Sequence, residues 1–179
     1  GVPLGNFLIK KVVDVLSQEL PRLKVFCTLS PIPGFAAWLG ALIKAPEAQG
    51  NEPLARALRA VARELNPDIA SMAGDAANAA RSLAPVKEPL MRLCATYLLQ
   101  RGDGSEPTLN PVAKFHLNNG ARLERINWMA DASRQGLRES LGMMVNYLYV
   151  PRAIQSNHQK FVRGEIVASH KVRSLSFGD

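Results

Sequence analysis

The chain has 179 residues, 47% of them hydrophobic and 21% charged, and carries a formal net charge of +7. This apolar content supports one packed core, with room for a small helical annex, and excludes wholesale disorder. The positive balance favours anionic partners, but the cations are dispersed and aromatics make up only 6%, which argues against a nucleic-acid surface.

In chain order, "GVPLG" leads into "NFLIKKVVDVLSQELP". There Leu8, Ile9, Val12, Val13, Leu16 and Leu20 recur at helical spacing, with Asn6 as the expected N-cap and Pro21 as the stop. "LKVFCTLS" is short and rich in β-formers and reads as a buried strand, broken by the two prolines of "SPIPGF". "GFAAWLGALIKA" reads as a helix, and residues 46–85 as two or three short helices joined at Asn66-Pro67 and Gly74. "KEPLMRLCATYLLQR" is a further helix and "GDGSEPTLNP" a loop. Helix resumes at Pro111 and is ended after His116 by "NNG". "ARLERINWMA", "GMMVNYLYV" and "VASHKVRSL" read as strands, with "SRQGLRES" helical or turn-like between the first two. The expected fold class is mixed α/β with an inserted helical block.

Cys27 and Cys94 lie in apolar segments without metal-binding spacing, which predicts two small buried thiols and neither a disulfide framework nor a zinc site. No apolar run reaches the roughly 18 residues of a membrane span. There is no signal peptide, and "SFGD" is no organelle address, so the expected location is cytoplasmic.

Three places could carry chemistry. "GVPLGN" opens a helix, where glycines and free N–H groups can cradle a phosphate, although such turns also serve as plain connections. Ser30 stands at a strand end between rigid neighbours. It is either an exposed ligand group or an ordinary cap before Pro31. His116 lies on an apolar face, the setting of a core histidine or of an acid–base group. The other two histidines are too distant in sequence to suggest a zinc set, and "LSPIP" lacks the G-x-S-x-G turn of a serine hydrolase.

The stretches "GVPLGNFLIKKVV", "LKVFCTLSPIPGF", "LMRLCATYLL", "LNPVAKFHLNNGARLERINWMAD" and "VNYLY" resemble the C-terminal catalytic region of the malonyl-CoA decarboxylase family. That resemblance implies a GNAT-type acyltransferase-like mixed sheet flanked by helices. It implies that residues 1–179 are the C-terminal part of the catalytic domain, with 46–85 a variable helical insertion. The N-terminal helical domain and first sheet strands of the family are expected to lie outside this chain, which alone would be an incomplete enzyme. It further implies that Gly1, Val2, Pro3, Leu4, Gly5 and Asn6 wrap the CoA diphosphate. Ser30 and His116 are implied to be the active-site pair, with Tyr149 shaping the pocket. Pro3 departs from the pattern, since some members carry an acidic residue there.

The implied reaction turns malonyl-CoA into acetyl-CoA and CO₂. Ser30 would orient the carboxylate, the thioester would hold the electron pair as an enolate, and His116 would protonate the carbon, its pKa lying near working pH. No metal or separate cofactor is expected, because the CoA thioester is both substrate and electron sink. A homo-oligomer is implied for the complete protein, with no nucleic-acid or membrane partner. The competing readings are an acyl-CoA-dependent acyltransferase on the same fold and a non-enzymatic basic helical binding module.

Overall fold

The helical period of the first segment is realised as α1, Leu4–Glu19. In the computed structural model, which describes residues 4–44, 50–65, 68–100 and 110–177, α1 is already under way at Leu4. Asn6 therefore lies inside the first turn and is not the N-cap expected from the sequence. Strand β1, Phe26–Pro31, follows, then α2, Phe35–Ile43.

The Ala-rich block folds as α3, Glu52–Glu64, a 3₁₀ turn at Ile69–Met72, and α4, Ala76–Leu83. Asn51 and Asp75 cap α3 and α4 through side-chain oxygens that accept from Leu54 and Asn78 N–H, satisfying helix-start donors that would otherwise be orphaned. Leu54, Leu58, Val61 and Leu83 from this block share one core with Leu90, Leu93 and Leu98 of α5, Lys87–Leu99.

Next come α6, Pro111–Asn118, β2, Arg122–Asn127, α7, Arg134–Ser140, and β3, Met144–Tyr149. The three strands form an antiparallel sheet in the order β1-β3-β2, with a bulge in β2 between Leu123 and Arg125. In β3 the residues Val145, Tyr147 and Tyr149 are buried while their neighbours are half-exposed. One face of the sheet therefore meets the core. This mixed α/β architecture is the fold class expected from the sequence.

Three expectations are corrected. β1 is an edge strand, not a strand buried on both faces. Leu29 is 54% exposed, and Cys27 on the same face is an exposed thiol where a buried one was expected. Pro31, paired with Met144, ends the strand, and among the described residues no strand adjoins its other side. "VASHKVRSL" is not a strand: only Ala168 bridges to Leu123, and Ser169 then caps a short helix α9, His170–Arg173. The cap outweighs the β-propensity of the flanking valines. Helix α8, Ile154–Val162, had no counterpart in the sequence reading. Among the described residues no helix is long and apolar enough to cross a membrane.

Candidate active site

β1 alternates, so Phe26, Thr28 and Ser30 share the packed face with their cross-strand partners Tyr149, Tyr147 and Val145. Ser30 is 5% exposed. The chain then turns through Pro33 and Gly34. Gly34 has φ +84°, and a Cβ there would stand 2.7 Å from the Tyr97 hydroxyl, so the turn requires glycine.

The carbonyl of Pro33 accepts from Tyr97 Oη at 2.8 Å and from Asn110 Nδ2 at 3.2 Å. Asn110 is fully buried and also caps α6, its Oδ1 accepting from Ala113 N–H at 2.9 Å. The turn after Ser30 is thereby tied to the start of the helix that carries His116. At the other end of α6, Gly120 has φ +80°, and a Cβ there would collide with the backbone carbonyl of Ile154. Asn157 Nδ2 of α8 donates to the Gly120 carbonyl at 3.1 Å, and His158 Nδ1 donates to the Asn118 carbonyl at 2.6 Å. α6 is held at both ends.

His116, 86 positions beyond Ser30, meets it: Ser30 Oγ and His116 Nε2 are 3.1 Å apart. On the far side of the ring, His116 Nδ1 lies 2.7 Å from Tyr149 Oη. Thr28 Oγ1 lies 2.9 Å from Ser30 Oγ, and the Tyr147 ring stacks beneath the imidazole at 4.4 Å and 22°. The three sequence-expected residues Ser30, His116 and Tyr149 therefore come together. Thr28 and Tyr147 were not foreseen, although their i, i+2 spacing from Ser30 and Tyr149 was a readable signal. Gly1, Val2 and Pro3 lie outside the described residues, and Leu4, Gly5 and Asn6 form the first described turn of α1.

Burial sets the protonation. It pulls the His116 imidazole down to about 4, well below the near-neutral value expected from the sequence, and pushes the Tyr149 and Tyr147 hydroxyls up. At neutral pH the ring is uncharged and carries one proton. Tyr149 is 2% exposed, so its hydroxyl hydrogen needs a partner. Donation to Nδ1 supplies one, which leaves the imidazole proton on Nε2, facing Ser30. In that tautomer Nε2–H donates to Ser30 Oγ and is not poised to take its proton, unlike the base of a Ser-His-acid triad. Tyr149 stands where such a triad needs a carboxylate.

Beside the network, a cavity of about 390 Å³ opens between α1 and β1, lined by Ile9, Val12 and Leu16 and by Phe26, Thr28 and Tyr149. Among the described residues, no group of three or more His, Cys, Asp or Glu is placed to hold a metal ion.

Residues 1–177 match the family model described as Malonyl-CoA decarboxylase C-terminal domain. The mitochondrial malonyl-CoA decarboxylase of Anser anser anser is 41% identical over 98% of this chain, and that of Mus musculus 42% identical over 98%. The chain spans only 36% and 37% of their respective lengths. Among solved structures, the malonyl-CoA decarboxylase of Rhodopseudomonas palustris superposes with a TM-score of 0.79 at 40% identity, covering 98% of this chain and 38% of that one. The Agrobacterium vitis enzyme gives 0.79 at 38% identity, covering 100% and 42%. By sequence and by fold, the chain belongs to the malonyl-CoA decarboxylase family, matching its C-terminal domain.

Proposed function

We propose that this chain supplies the catalytic centre of a carboxy-lyase that converts malonyl-CoA to acetyl-CoA and CO₂. The observation that carries the proposal is the buried line Ser30–His116–Tyr149, whose Tyr149 end borders an open cavity, in a chain of this family.

The carbon–carbon bond to the carboxylate breaks, CO₂ leaves, and the electron pair passes into the thioester as an enolate. Ser30 donates its hydroxyl hydrogen to the carboxylate and holds the breaking bond perpendicular to the thioester plane, where overlap is greatest. Burial of Ser30, His116 and Tyr149 in a low-dielectric setting favours neutral CO₂ and the delocalised enolate over a localised carboxylate. His116 then protonates the α-carbon through Nε2.

An imidazole held near 4 is neutral before substrate arrives. A substrate carboxylate placed beside it in low dielectric raises its proton affinity. Binding of the anion therefore favours the imidazolium, with one proton taken up from solvent, and in that form Nδ1–H donates to Tyr149 Oη. The same neutral Nε2–H disfavours an acyltransferase reading, which needs a base at this position. Tyr149 holds the ring so that Nε2 faces the substrate. Because the thioester is the electron sink, the reaction calls for no further cofactor.

The same reading assigns residues 1–6 and the N-terminal turn of α1 to the CoA diphosphate, where free helix N–H groups favour an anion. It takes the β1-β3-β2 sheet, with α1 leading into β1, as part of a GNAT-type sheet. A homo-oligomeric complete protein and a cytoplasmic location belong to this proposal too, and sedimentation and cell fractionation test them.

The direct test is incubation of the full-length protein with malonyl-CoA. Equal yields of CO₂ and acetyl-CoA support the reading, and unchanged malonyl-CoA overturns it.

A further inference from the structure

Ser30 has two hydroxyl partners to account for, and only one of them is the histidine. Its Oγ offers two lone pairs and one hydrogen. His116 Nε2 lies 3.1 Å away and, when protonated, fills one lone pair, and Thr28 Oγ1 lies 2.9 Å away on the same strand face. Thr28 is half-buried and lines the cavity of about 390 Å³, and its hydroxyl meets Ser30 on the strand face.

The placement of Thr28 is fixed from three directions. As a β-branched residue it has a stiff χ1. Its carbonyl accepts from Asn146 Nδ2 at 2.8 Å, and Asn146 Oδ1 in turn accepts from Asn127 Nδ2 at 2.9 Å. Its cross-strand partner is Tyr147, whose ring lies under the imidazole.

From this geometry, and resting on the decarboxylase reading above, we propose that Thr28 is a positioning residue that makes Ser30 an obligate donor to the substrate carboxylate. When Thr28 O–H donates into the second lone pair of Ser30 Oγ, both acceptor sites of the serine are filled. The serine hydrogen is then the one group left to point outward. Without Thr28 that hydrogen can turn back along the strand, and the carboxylate loses its orienting bond in a fraction of bound complexes. Thr28 acts through Ser30 alone and touches no reacting atom.

The test is a double-mutant cycle in the full-length protein, with Thr28→Val keeping shape and β-propensity. CO₂ release from malonyl-CoA by Thr28→Val is expected to fall about tenfold in kcat, the scale of one lost orienting hydrogen bond. KM is expected to change by less than about twofold and Thr28→Ser to restore the rate, because the hydroxyl and not the methyl does the work. Adding Thr28→Val to Ser30→Ala is expected to cost nothing further. Parent kinetics in Thr28→Val, no recovery in Thr28→Ser, or an equal loss on the Ser30→Ala background would each overturn the inference while leaving the decarboxylase reading intact. A parent protein that leaves malonyl-CoA unchanged overturns both.

Discussion

Asn110 donates its Nδ2 to the carbonyl of Pro33 at 3.2 Å, across 77 positions of sequence. This contact joins the cap of α6 to the turn that follows Ser30, so the reach between Ser30 and His116 depends on a residue that touches neither. Asn110→Leu keeps the branched shape but removes the cap and leaves the Pro33 carbonyl with Tyr97. The expected cost is about 2–3 kcal/mol, a lost cap plus a lost buried hydrogen bond. Urea unfolding measures the stability loss, and CO₂ release under native conditions should fall as well, because α6 is no longer tied to β1.

Tyr149→Phe removes the hydroxyl from His116 Nδ1 while keeping the ring. The imidazole is then free to carry its proton on Nδ1, facing away from the substrate. Turnover is expected to fall by about 10–100-fold, the range for a misheld acid–base group, with substrate affinity little changed. Nitrogen NMR of the His116 ring reads the tautomer directly: the parent should show a protonated Nε2 and the variant a mixture.

Stability should depend on pH through His116. Held at about 4 in the folded chain against an ordinary 6.5, the ring binds fewer protons folded than unfolded between those values. Its contribution is complete above about pH 6.5 and is lost as pH falls towards 4, amounting to about 3 kcal/mol at the limit. Denaturant midpoints at pH 7 and pH 4.5 should differ more in the parent than in His116→Gln. The carboxylates, which titrate in both proteins, cancel in that comparison.

Gly120→Ala places a side chain where φ is +80° and where the Ile154 carbonyl already sits. Both the strained backbone and the collision act at the end of α6, so a loss of more than about 2 kcal/mol is expected. Gly164→Ala has the same sign of φ but open space around it and should cost about 1 kcal/mol. Thermal unfolding of the two variants separates collision from strain.

Much of the architecture was legible because local signals agreed with the tertiary environment. The period of α1, the Asn-Pro start of α6 and the glycine that ends it needed no knowledge of the rest of the molecule. Where the reading failed, a long-range or competing local term decided. β1 reads as a buried apolar run, yet Cys27 and Leu29 are exposed because only the other face of the strand packs on the core. "VASHKVRSL" has β-formers, but Ser169 both caps α9 and donates to the Glu124 carbonyl at 2.7 Å, which favours a turn of helix. α8 buries Asn157 and Phe161 among polar residues, a pattern too sparse to announce a helix.

For the site, Ser30 and His116 stood out as residue types in unusual settings. Their meeting could not be read, because 86 positions separate them and the Asn110–Pro33 contact that aligns them carries no sequence signature. Nor could the low proton affinity of His116 be foreseen, since it comes from burial of the ring in the folded chain, where Tyr147 and Tyr149 of β3 flank it.

The most direct test of a shared site is the coupling between Ser30 and His116 in CO₂ release from malonyl-CoA by the full-length protein. If the serine orients the same carboxylate whose loss generates the carbanion that the histidine protonates, Ser30→Ala and His116→Ala should each reduce the rate at least about 100-fold. The double variant should then be no slower than the worse single one. Losses that multiply in the double variant, or a His116→Ala protein with the parent rate, would contradict the account.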